Sequence, residues 1–219
     1  MFRKILIYII IFYSITYYYT FFKWYFSDNQ KIIEEALSLS LSASISMFIA
    51  ILLIHYFYYP RNEIDRAKVI SFPPIIFLFS INLAFLISMS NMYFFQLYDV
   101  PKELDILRSI PAGILLIFIA LVILNLALRE FNKVNEDPIP TTSSKLIINK
   151  NIYSYSRNPM YLGLLILQVG IGMLLSIVHI IFFTFIILKY YVVLPEEKYL
   201  ENKFGKKYHE YKKSVRRWI

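Results

Sequence analysis

The chain contains no cysteine. That excludes disulfides, thiolate metal sites and a cysteine nucleophile. Histidine is nearly as scarce: His55, His179 and His209 are the only 3, and their spacing fits no metal-ligand motif. The 5 glycines include no G-x-G-x-x-G, so no soluble dinucleotide-binding loop is encoded. Charged residues make up only 17% of the chain, below the roughly 25% of an ordinary globular domain. A net charge of +8 could suit nucleic acid, but the basic residues flank long apolar blocks, which points to a membrane instead.

What is present is apolar. Hydrophobic residues reach 58%, with a mean hydropathy of +0.54. They fall in blocks of the length that a bilayer-spanning helix needs, about 20 residues. The blocks run from about Ile5 to Phe22, Ala36 to Tyr59, Ile70 to Phe95 and Ile110 to Leu128. Pro111 suits the first turn of the fourth, where its missing N–H costs nothing. The first block follows Arg3 and Lys4 like a signal peptide, but it is long, rich in Tyr and lacks a small-residue cleavage site. The last block, Met160 to Leu194, is too long for one crossing and enough for two short ones. Gly170, Gly172 and Ser176 near its middle predict a helical hairpin turning near Ser176. The expected fold is an all-α integral membrane protein of about six transmembrane helices, with a C-terminal amphipathic helix.

Charge placement sets the expected orientation. Arg3, Lys4, Arg61, Arg66, Lys68 and the basic residues of 129–157 and 198–217 fall on one side of a six-span thread. Only Lys23, Lys31, Lys102 and Arg108 fall on the other. The rule that basic loops stay in the cytoplasm then places both termini inside. A multi-pass protein of a prokaryotic plasma membrane is expected, with its site facing the cytoplasm. In the tail, Tyr208, Tyr211, Val215 and Trp218 share one helical face, suited equally to anionic lipid or to packing on the bundle.

Two polar segments bracket the hairpin and carry the chemistry. Asn158 is a good N-cap and Pro159 a good first helical residue, so a helix starts there with free N–H groups beside Arg157. On the other side, Pro195 opens and Gly205 closes a short helix carrying Glu196 and Glu197. The hairpin brings a cationic end and an anionic end to the same membrane face, which suits a zwitterion. The same residues have a plainer reading: Arg157 and Lys198 as snorkelling interface residues, and the two glutamates as helix-start carboxylates.

The string SRNPMYLG, a hairpin, and then PEEKYLENKFGKKYHEYKKSVRRWI resemble the isoprenylcysteine carboxyl methyltransferase and phospholipid methyltransferase superfamily of integral membrane methyltransferases. The upstream PTTSSKLI and NIYSYSRNP resemble that family's lead-in, so the likeness covers about Pro138 to Ile219. The resemblance implies S-adenosyl-L-methionine as cofactor. It implies adenosine contacts at Lys145, Leu146, Ile147 and Ile148, a further contact at Pro138, and a lead-in tyrosine at Tyr153. It carries the R-H/N-P-x-Y element onto Arg157, Asn158, Pro159, Met160 and Tyr161, and the cofactor-binding carboxylate onto Glu196. Arg157 and Glu197 are then the expected catalytic residues, Arg157 orienting the acceptor and Glu197 serving as base if one is needed.

Three positions depart from the family pattern. Asn151 replaces the lead-in glycine, and Asn tolerates positive φ best among the other residues. Asn158 stands where isoprenylcysteine enzymes usually have His. Val192 stands at their substrate arginine, leaving Lys189 one turn earlier as a candidate substrate contact.

The expected organisation is residues 1–109 as an acceptor entrance or packing unit and 110–219 as the methyltransferase core. The implied activity is methylation of a lipid or lipidated acceptor, isoprenylcysteine-type carboxyl O-methylation or a related lipid methylation, with phospholipid N-methylation as the alternative. An NADPH-dependent sterol-type reductase and a non-enzymatic membrane protein on the same scaffold are the other readings. Neither metal nor nucleic acid is expected as a partner. The orientation is testable: tags at Asp137 and at the C-terminus should report cytoplasm and a tag at Asp99 the opposite side. An outward tag at Asp137 would overturn it.

Overall fold

The computed structural model describes Phe12, Thr16, Tyr19 and Lys23, then residues 30–59, 65–95, 107, 109–175 and 181–219. Most of the expected first span, and the expected turn near Ser176, lie outside the described residues. Regular structure among the described residues is helical throughout. Helix α1 spans Gln30–Tyr58, α2 Pro73–Phe95 and α3 Ile110–Lys133. Each holds an apolar stretch long enough to cross a bilayer, which in α1 is Leu37–Tyr58. Helix α4, Pro159–Leu175, is apolar but shorter. Helix α5, Ile181–Leu188, continues through a π-helical turn, Lys189–Val193, into α6, Leu194–Phe204, and α7, Lys206–Ser214, follows.

Local chemistry sets the helix ends. The Ser109 hydroxyl accepts from the Ala112 amide at 3.4 Å, and Pro111 fills the first turn of α3. Arg129 and Glu130 mark the end of the membrane-compatible run but not of the helix, so α3 continues past the expected Leu128 to Lys133. The outer face of α3 is oily: Ile114, Leu115 and Phe118 are all more than half exposed. Such a face belongs in hydrocarbon and makes this an integral membrane protein.

In lipid, helices associate through close backbone approach more than through hydrophobic burial. Helices α3 and α4 meet in this way. A Cβ added at Gly113 would stand 2.9 Å from the Gly170 carbonyl oxygen, and one at Gly170 would stand 2.8 Å from the Gly113 carbonyl oxygen. On the other flank of α4, Leu164 and Ile171 pack into a cluster built by Met47 of α1 with Phe77, Phe85 and Met89 of α2.

The π turn follows from Pro195. Proline has no N–H, so the Tyr191 carbonyl loses its i+4 donor. The Leu194 amide instead reaches back five residues to Lys189, and the freed Tyr191 carbonyl accepts from the Ile70 amide at 2.9 Å. That bond ties the segment before α2 to the helix carrying Glu196 and Glu197. Around it, Ala67, Val69 and Ile76 pack with Tyr161, Leu188, Val192 and Val193. The N-terminal helices thus buttress the C-terminal ones.

The Gly113–Gly170 contact is backbone against backbone, so a side chain cannot slip aside. Gly170→Ala should push α3 and α4 apart and cost about 1–3 kcal/mol, the range for overpacking. A lowered thermal midpoint in detergent checks this, and an unchanged midpoint refutes it.

Candidate active site

The site begins with a bend. Asn151 sits at φ 52°, so the asparagine adopts the left-handed conformation that favours glycine, and its side-chain amide donates to Glu130 at 2.9 Å. The 3₁₀ turn that follows, Asn151–Ser154, buries Tyr153. The Phe131 ring meets Tyr153 edge-on, and the Tyr211 hydroxyl of α7 donates to the Tyr153 carbonyl at 2.6 Å.

Next the chain pairs with its own tail. The Arg157 amide donates to the Arg216 carbonyl at 3.0 Å, and the Arg217 carbonyl accepts from the Ser156 hydroxyl and the Asn158 side chain. This holds Asn158 and Arg157 against Glu197, which is only 4% exposed. The Glu197 carboxylate accepts from the Asn158 amide at 3.2 Å and from the Arg217 guanidinium at 2.8–3.1 Å, and Arg157 Nη2 lies 3.3 Å away. Bonding to Glu197 raises the Arg217 pKa. Arg157 Nε and Nη1 are buried without a partner.

Glu196 precedes Glu197 and points about 100° around the helix, to a different environment. Its Oε2 accepts from the Tyr161 hydroxyl at 2.5 Å. Burial pushes the Glu196 carboxyl up to about 7; neighbouring Glu197 adds to the rise, and the Tyr161 hydrogen bond opposes it. Burial also pushes the hydroxyls of Tyr153, Tyr208 and Tyr211 up, so all three remain neutral donors.

These residues line one cleft. Arg157, Asn158, Tyr161, Glu196 and Glu197 form its polar part, with Met160 beside them. Pro138, Leu146, Ile147 and Ile148 give it apolar walls, and Tyr153, Tyr208 and Tyr211 add rings. The cleft is narrow, with a cavity volume of about 80 Å³. A thin, extended guest suits it.

Some expected site residues stand elsewhere. Lys145 is exposed and outside the cleft lining; its amide donates to the carboxylate of Glu136, which does line the cleft. Pro159 is buried at the start of α4. Lys189 lies on the π turn with its ammonium over the Phe185 and Tyr190 rings, away from the cleft, and Val192 is fully buried. The tail helix packs inward: Tyr208, Tyr211 and Val215 form a cluster with Ile147, Leu200 and Phe204. Arg217 had no distinguishing signal among the tail's many basic residues. Tyr208 and Tyr211 had one, their shared helical face, but not its destination.

Residues 108–207, the stretch from the start of α3 into α7, match the model of the phospholipid methyltransferase family. Over those residues the chain resembles that family. A 73-residue stretch is 36% identical to a protein-S-isoprenylcysteine O-methyltransferase of Schizosaccharomyces pombe. It covers 32% of this chain and 31% of the fission-yeast protein, about a third of that relative's length. A 64-residue stretch is 39% identical to an uncharacterized protein of Haemophilus influenzae, covering 27% of this chain and 100% of the bacterial one. No solved structure matches the chain.

The raised Glu196 carboxyl makes stability depend on pH with a definite sign. A carboxyl whose folded pKa lies above its unfolded value stabilises most below the unfolded pKa, and that contribution is lost as pH rises through the folded one. With no ligand bound, the protein should therefore lose stability relative to Glu196→Gln between about pH 4.5 and 7. Parallel thermal midpoints across that window would refute the assignment.

Proposed function

We propose that this protein transfers a methyl group from S-adenosylmethionine to a lipophilic acceptor. The observation that carries the reading is the pairing, in one narrow cleft, of two unpartnered buried guanidinium nitrogens on Arg157 with the carboxyl of Glu196. The methionine end of the cofactor has both complements, a carboxylate for Arg157 and cationic groups for Glu196. Leu146, Ile147 and Ile148 offer apolar walls for the adenosine, with Tyr153 beside them. When bound, the cofactor supplies an electrophilic methyl carbon on a sulfonium.

The protein's own task is then alignment, which works by removing translational and rotational freedom. Tyr161 orients Glu196 through its hydrogen bond. Glu197 is engaged by Arg157, Arg217 and Asn158, so its role is to position Arg157 rather than to take a proton. This favours a carboxylate acceptor, which is nucleophilic without a base, over an amine that must lose a proton. It supports isoprenylcysteine-type O-methylation, the activity in the fission-yeast relative's name, over phospholipid N-methylation. Valine at position 192 leaves no arginine there for the acceptor, so its carboxylate would be met by other residues.

Titration calorimetry of the detergent-purified protein tests the cofactor. S-Adenosylhomocysteine should bind, and Glu196→Gln should weaken it by about one to two orders of magnitude, as expected for a charge-assisted contact of roughly 1.5–3 kcal/mol. Arg157→Lys should also weaken it, because a lysine lacks the planar fork. Binding of NADPH in place of S-adenosylhomocysteine would replace this reading with a reductase.

A further inference from the structure

Helix α6 has a second lined face. Pro195, Lys198, Tyr199 and Asn202 recur at helical spacing, clear of the Glu196, Glu197 and Leu200 positions that line the first cleft. They border a separate, wider cleft, with about 750 Å³ open to water centres. Across it stand Asp65, Arg66 and Lys68, from the segment between α1 and α2.

The charge in this second cleft is unbalanced. Its one carboxylate among the described residues, Asp65, accepts from the Lys203 ammonium at 2.5 Å, from the Ser143 hydroxyl, and from the Tyr199 hydroxyl at 3.2 Å. These bonds hold the Asp65 carboxyl below its ordinary range, so Asp65 and Lys203 offset each other. Lys68 and Lys198 add positive charge at its edge, and both are exposed. Tyr190 and Leu194 give the same cleft an apolar border. The cleft lies where the apolar run of α5 and the π turn gives way to the polar α6. That is the depth of the lipid headgroups.

We propose that this cleft binds the phosphate of an anionic membrane lipid, with the acyl chains running along the apolar border into the bilayer. Basic pockets at the surface ends of membrane helices select anionic headgroups, each lysine or arginine adding attraction over a short range. The site is distinct from the methyl-transfer cleft and does not depend on that reading. A lipid held there braces α6 on the side away from Glu196.

The test is calorimetric titration of the full chain in neutral detergent with short-chain phosphatidylglycerol, short-chain phosphatidylcholine and inorganic phosphate. Phosphatidylglycerol should bind saturably, and the other two far more weakly. Lys68→Gln/Lys198→Gln should weaken phosphatidylglycerol roughly tenfold to thirtyfold, leaving S-adenosylhomocysteine binding unchanged. The control Lys206→Gln/Lys213→Gln removes two exposed lysines of α7 and should leave phosphatidylglycerol binding as it was. Equal losses in the two pairs would reduce the effect to general surface charge and overturn the site. Equal affinity for phosphatidylcholine would overturn the charge selection, and equal affinity for inorganic phosphate would overturn the lipid.

Discussion

A carboxylate as deeply buried as Glu197 is costly unless both oxygens are engaged, and it is in this engagement that the cleft takes its shape. Asn158 and the guanidinium groups of Arg157 and Arg217 supply the partners. With Glu197 itself they come from three places far apart in the chain: the start of α4, the start of α6 and the tail. Withdrawing one partner from a buried ion pair typically costs about 3–5 kcal/mol, because the remaining charge is stranded. The arrangement also leaves Arg157 asymmetric, with one nitrogen fixed near Glu197 and two others buried and open to a guest.

The second constraint is Pro195. A proline in a continuing helix must leave a carbonyl without its usual donor. Here the helix absorbs the fault as a π turn, and the Ile70 amide satisfies the carbonyl. The buttress therefore extends the site's support into the N-terminal half, where Ala67, Val69 and Ile76 pack against Tyr161, Val192 and Val193. Those helices do more than cross the membrane, since they fix the angle at which α6 leaves it.

The legible part of the sequence was the part with strong local physics. Apolar block length located α1, α2 and α3, Pro159 marked the start of α4, and Gly205 the end of α6. Asn151 read correctly as an asparagine at positive φ, because few other side chains tolerate that region. Long-range pairing was not legible. Nothing local distinguishes Arg217 from Arg216, yet one guanidinium meets Glu197 and the other does not. The equal choice for the tail, lipid or bundle, was decided by Ile147 and Leu200, residues on other elements that an amphipathic face alone does not reveal. Lys189 looked suited to substitute for a missing arginine by spacing alone, but the π turn changes the register on which that spacing depends.

Glu196 couples the cleft to protons. Its carboxyl, poised at about 7, holds a proton for part of the time near neutrality, while a guest cation requires the ionised form. A cation arriving beside it therefore expels a fraction of a proton to solvent. The heat of binding then includes the heat with which the buffer takes up that proton, so two buffers of equal pH and unequal ionisation enthalpy give two apparent enthalpies for one and the same event.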